Sequence, residues 1–152
     1  MHAGNQSKTF SVRNQHNECY RGCTKQLQFL EPSRCRPIGA AYAKGGTYRT
    51  PRVDHDLTGQ AIGDFAKWVW TAFPDASLEL ISIGDTGGGL VAIQWMLHGT
   101  HTGPLMDGTP PTRRTVAYPG ASFVQVEGDK IRSEKIYVDR QTVAELLELK
   151  AK

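Results

Sequence analysis

Leu90-Val91-Ala92-Ile93-Gln94-Trp95-Met96-Leu97-His98, preceded by Gly87-Gly88-Gly89, is the stretch that decides the fold. Its β-branched and aromatic residues, with no proline or glycine inside, read as a strand. Period-two alternation gives it two faces. One carries Val91, Ile93, Trp95 and Leu97; the other carries Leu90, Ala92, Gln94, Met96 and His98. The glycine triplet reads as a hairpin turn, which pairs this strand with the extended run holding Leu78, Leu80 and Ile83. The triplet is not a phosphate loop, because it lacks the lysine-serine/threonine ending and leads into a strand.

Downstream, residues 102–111 form a loop rich in glycine and proline. Residues 114–126 give a second long strand, with a kink expected near Pro119-Gly120. Glu127-Gly128-Asp129 is a turn, residues 130–139 a final strand and residues 141–150 a closing helix built on Val143, Leu146 and Leu147. Upstream, Thr58 reads as an N-cap. It opens a helix from about Gly59 to Phe73, where Ile62, Phe65, Ala66, Val69, Trp70 and Phe73 make one apolar stripe. Pro74-Asp75 ends that helix. Residues 47–50 read as a short strand, and residues 17–30 and 33–43 as helices with Tyr42 in the second. Residues 1–16 are polar and read as a flexible segment. Helices first and then a four-stranded antiparallel meander give an α+β class, with helices packed on one face of a curved sheet and residues 17–152 as one domain. That order excludes a doubly wound nucleotide-binding fold.

The chain has 152 residues, 39% hydrophobic and 22% charged, with a net charge of +3. This is ordinary globular composition, large enough for a core or an internal cavity. Arginines 113 and 114 and the scattered cations of residues 13–36 do not form a nucleic-acid stripe with interleaved aromatics. No stretch has the length of a membrane span. Cys19, Cys23 and Cys35, an odd number without an apolar leader, point to reduced thiols in a cytoplasmic protein. With His16 they can be drawn as a zinc set, but the spacing is not that of a common zinc module, so no metal is expected.

Four pieces then occur in a telling order: Phe73-Pro74-Asp75, Gly99-Thr100-His101-Thr102-Gly103, Gly128-Asp129-Lys130-Ile131 and Tyr137-Val138-Asp139. Between the second and third lies Pro111-Thr112-Arg113-Arg114. Together they resemble the SnoaL-like polyketide cyclases of the nuclear transport factor 2-like superfamily, which share a cone-shaped fold with ketosteroid isomerase. The resemblance covers about the last two-thirds of the chain. Arg113 stands where the family loop has a glycine. The resemblance implies a cone-shaped, mostly antiparallel sheet wrapped by N-terminal helices. It also implies a homodimer through the outer sheet face, with Val91, Ile93 and Trp95 as candidate contacts, and an aldol-type ring closure without cofactor.

It further implies that Asp139 is the catalytic acid/base and that His101 orients or polarises a substrate carbonyl. A carboxylate in an apolar pocket has its pKa raised toward working pH, which suits it to that task. Asp139 also directly precedes a helix start, so a helix cap is the alternative. For His101 the alternatives are an exposed loop histidine and one that hydrogen-bonds a backbone carbonyl. Gln94 is informative, since an amide in an apolar strand needs a polar partner or a wet pocket. Tyr48, Trp70, Met96, His98, Tyr118 and Tyr137 are the other candidates for binding a small hydrophobic molecule, with Trp95, Leu105 and Met106 behind them. The expected activity is a lyase or isomerase acting on a small apolar ketone. Two other readings stay open: a non-catalytic binding or dimerisation module, and an epoxide-hydrolase-like enzyme built on Asp139, Arg49 and Asp54.

Overall fold

The computed structural model describes residues 39–149. Its elements are β1 (Tyr42–Arg49), β2 (Leu57–Thr58), α1 (Gln60–Ala72), β3 (Ser77–Gly87), β4 (Leu90–Thr100), β5 (Thr115–Glu127), β6 (Lys130–Tyr137) and α2 (Arg140–Leu146). The expected helix over 17–30, most of that over 33–43, the flexible segment 1–16 and the zinc set of His16, Cys19, Cys23 and Cys35 lie outside the described residues. Among the described residues no helix is long and apolar enough to cross a membrane.

The glycine triplet makes the hairpin between β3 and β4. Its φ angles of 92°, 62° and 79° are left-handed values that only glycine adopts without strain. From there β3, β4, β5 and β6 run antiparallel, each beside the next. The sheet does not stop at four strands. Its order is β2-β1-β6-β5-β4-β3, with β1 parallel to β6 and β2 antiparallel to β1. The class is therefore α+β with a mixed, mostly antiparallel six-stranded sheet.

Three sequence expectations are corrected. Tyr42 belongs to β1 rather than to a helix, because pairing with β6 (Tyr42↔Ile131, and Ile131 N–H to the Ala41 carbonyl at 2.9 Å) outweighs a weak local helical pattern. Thr58 does not cap α1. Its backbone pairs with Thr47 in the sheet, and Gly59 enters the helix with no side-chain cap. Through residues 119–120 the β4–β5 pairing stays in register, continuous from Leu90↔Gln125 to Thr100↔Thr115. Finally, Val91, Ile93 and Trp95 do not form an outer contact face. They are buried to 2%, 1% and 4% exposure, packed in one core with Trp70 and Phe73 of the α1 end and with Val116, Tyr118 and Val124 of β5. Alternation defines two faces but not which one a helix will cover. The face bearing Gln94 and His98 is the one left outside.

Candidate functional site

The inner face of the sheet and α1 enclose a cavity of about 210 Å³. That exceeds the roughly 150 Å³ of an apolar cavity that takes up benzene. Its wall includes Tyr48, Phe65, Trp70, Leu97, Tyr118 and Ile136. Two carboxyls border the cavity: Asp129 is exposed in the turn before β6, and Glu134 is set into the apolar wall. Simple alternation along β6 groups Ile131 with Ser133 and Lys135 and puts Glu134 on the opposite face. The register against β5 shifts, however: Val126 pairs with Ile131 but Gln125 pairs with Ser133. The extra residue reverses the phase, so that Ile131, Glu134 and Ile136 all line the cavity.

Glu134 sits in a hydroxyl cradle. Tyr42 Oη donates to its Oε2 at 2.6 Å. Ser122, 1% exposed, faces the carboxyl from β5 and accepts the Trp95 indole N–H at 3.0 Å. Burial raises the Glu134 pKa above the usual carboxylate range, and the Tyr42 and Ser122 hydroxyls only partly oppose it. The residue keeps intermediate exposure because it borders the cavity, while its carboxyl group is enclosed by protein. Gly120 completes this corner. It pairs with Trp95, and a Cβ on it would stand 2.2 Å from Cη2 of the indole. The missing side chain is the space in which Trp95 lies on its way to Ser122. Also in the cavity wall, burial raises the pKa of the Tyr118 phenol, opposed by the Arg52 guanidinium beside it.

Of the sequence-derived candidates, Tyr48, Trp70, Tyr118 and Trp95 line this cavity. Asp139 and His101 do not. Asp139 is the exposed N-cap of α2; its carboxylate accepts the Gln141 N–H at 2.9 Å and the Thr142 hydroxyl at 2.7 Å. Those bonds lower its pKa, the opposite of a group tuned to exchange protons near neutrality. His101 is fully buried against Phe73, with ring centroids 5.3 Å apart. Its Nδ1 accepts the Thr112 backbone N–H at 3.1 Å and lies 3.0 Å from the Thr112 hydroxyl, and burial lowers its pKa. Backbone bonds from His101 to Arg114 and from Arg113 back to His101, with Gly103 bound to the end of α1, make it an anchor of the 102–112 loop.

Gln94, Met96 and His98 alternate onto the outer sheet face. There Gln94 meets Ser82 at 3.3 Å and His98 meets Glu79 at 3.1 Å. Tyr137 is 56% exposed on the same face, edge-on to Phe123. A shallow outer groove is bordered by Gln94, Phe123, Tyr137 and Asp139. Arg49 and Asp54 are taken up by Asp56 and His55, and neither they nor Asp139 border the inner cavity. Leu105 and Met106 do not line it either. Among the described residues no cluster of histidine, cysteine, aspartate and glutamate is placed to hold a metal.

A mixed, mostly antiparallel sheet closed by a helix over an apolar cavity is a ketosteroid isomerase-like fold. The family profile described as SnoaL-like polyketide cyclase matches residues 24–147, and the chain belongs to that family. Among solved structures it is similar to a protein assigned as a SnoaL-like polyketide cyclase from Jannaschia sp. CCS1, with TM-score 0.78, 14% identity, and 98% of this chain and 100% of that one covered. A ketosteroid isomerase-like protein from Catenulispora acidiphila, solved with trimethylamine, superposes with TM-score 0.72 at 18% identity, covering 88% of this chain and 94% of that one. AclR from Streptomyces galilaeus, assigned as a hydroxylase, gives TM-score 0.71 at 18% identity over 93% and 84%. No curated protein matches the chain. At these identities the likeness is one of fold.

Proposed function

We propose that the protein is an acid/base enzyme of lyase or isomerase type that acts on a small ketone-bearing compound in the inner cavity, with Glu134 as the group that moves the proton. The supporting observation is the buried Glu134 carboxyl, which is bonded by Tyr42 and has its pKa raised by burial. A carboxylate held in apolar surroundings is a stronger base than one in water, and its acid form lies closer to neutral pH. In the proposed step the carboxylate removes a proton from the carbon next to the substrate carbonyl. The C–H electron pair becomes the enolate, and the Tyr118 hydroxyl donates to the developing oxygen. The resulting nucleophilic carbon then either attacks a second carbonyl, as in aldol ring closure, whose π pair moves to its oxygen and takes the proton back from Glu134, or itself regains that proton at another position. The matched family and the polyketide cyclase assignment of the Jannaschia protein favour the first course. This chemistry calls for no cofactor.

A homodimer through the outer sheet face belongs to the same proposal. Phe123 and Tyr137, 41% and 56% exposed, form a contiguous apolar edge there, with Ile81 also 49% exposed on β3. The exchange of α-hydrogens of 2-tetralone for deuterium, followed by NMR, tests the chemistry without knowledge of the natural substrate. The wild type should accelerate exchange, and Glu134→Gln should lower the rate by roughly 10²- to 10⁴-fold. Acceleration that survives Glu134→Gln would contradict the proposal.

A further inference from the structure

Arg52 has no part in the proton transfer above, yet it borders the same cavity. Its guanidinium lies 5.5 Å from the ring centroid of Trp68 and beside the Tyr118 hydroxyl. Among the described residues no carboxylate stands within ion-pair distance of it. The other two cations of the lining are tied to backbone: Lys130 Nζ donates to the Ala40 carbonyl at 2.8 Å, and Arg140 Nη1 to the Pro51 carbonyl at 3.4 Å. The lining's carboxyls are Asp129 and Glu134. Glu134 pairs in register with Tyr48, and Arg52 follows four residues later in the chain. That is at most roughly 14 Å of extended backbone. The cavity wall thus carries a carboxyl, a guanidinium and aromatic surface together.

A planar guanidinium, half-buried and held by an aromatic face, fits a carboxylate through two parallel hydrogen bonds. We infer that the cavity's ligand is an apolar ring compound bearing a carboxylate, with the carboxylate seated on Arg52 and the ring against the Trp70 and Trp95 wall. This deepens the function proposed above and rests on its choice of cavity. The ketone would then be that of a keto acid, and Arg52 would set which end of the molecule reaches Glu134.

Calorimetric titration with 2-naphthoate and its neutral analogue 2-naphthamide tests the inference. The wild type should bind naphthoate roughly ten- to a hundredfold more tightly, the preference expected for hydrogen bonds to a charged group. Arg52→Met should remove the preference by weakening naphthoate alone, and Arg52→Gln provides a second neutral replacement should the first fail to fold. Glu134→Gln should keep the preference. Equal affinity for the two ligands, no binding of naphthoate, or a preference that persists without Arg52 would overturn the inference. Tetralone exchange without a carboxylate preference would overturn it while sparing the Glu134 chemistry. An Arg52-dependent preference without exchange would do the reverse.

Discussion

Gly120→Ala probes the corner on which the site is built. The added Cβ would lie 2.2, 2.4 and 2.6 Å from three carbons of the Trp95 ring, where roughly 3.5–4.0 Å is comfortable. The ring cannot yield freely. Trp95 is 4% exposed, and its N–H is bonded to Ser122, which is itself 1% exposed. Overpacking of this kind costs about 1–3 kcal/mol, and loss of the Trp95–Ser122 bond adds about 1 kcal/mol. The sum, roughly 2–4 kcal/mol, corresponds to a fall in melting temperature of about 4–16 °C in a chain of this size. The assay is a thermal melt by circular dichroism, read beside the tryptophan emission. Gly84→Ala is the control, since a Cβ there meets nothing within 4 Å. If Gly120→Ala melts together with that control and its emission is unchanged, Trp95 does not lie where it is described, and the Ser122–Glu134 cradle loses its support.

Three further outcomes are expected. Asp139→Ala should lower the melting temperature at neutral pH without lowering tetralone exchange, because it removes a helix cap. Since the native bonds depress the Asp139 pKa below its ordinary value of 3.8, its contribution holds above that value and fades as pH falls through the native one. Melts of wild type and variant should therefore converge in strong acid. His101→Ala should cost about 2–4 kcal/mol by opening a cavity and leaving the Thr112 N–H without its acceptor. The wild type should lose stability as pH drops below 6.5, the ordinary histidine value, because the unfolded chain takes up a proton there that buried His101 resists. The variant should lack that slope when both are melted across the range. Arg113 has φ 59° at the family's glycine position, so Arg113→Gly should gain up to about 1 kcal/mol in a denaturant titration by relieving a left-handed residue.

The fold was legible where one physical signal dominated. The apolar stripe of α1, the glycine triplet and the alternation of β4 each survive into the structure because burial and turn geometry act locally there. Two things escaped. The β1–β6 pairing joins residues nearly ninety positions apart, from Tyr42 to Ile131, and no local pattern announces a parallel partner. The site was obscured by a single extra residue in β6. A strict two-residue period groups Glu134 away from Ile131, whereas the register shift brings both to the cavity. Resemblance likewise pointed to Asp139 and His101, whose motif positions are accounted for by a helix cap and a loop anchor. Tyr48, Trp70 and Tyr118 were legible as aromatic lining, because bulky rings at inward positions are what such a cavity requires.

The protonation of Glu134 bears most directly on the account. A carboxyl-selective NMR or infrared titration of the wild type, with Glu134→Gln subtracted to isolate the signal, would follow it. Because the enclosed carboxylate is poorly solvated, the protonated acid should persist above the ordinary glutamate value of 4.5. A difference signal that titrates at or below 4.5 would mean that Glu134 is an ordinary solvated carboxylate, and the acid/base proposal would fall with it.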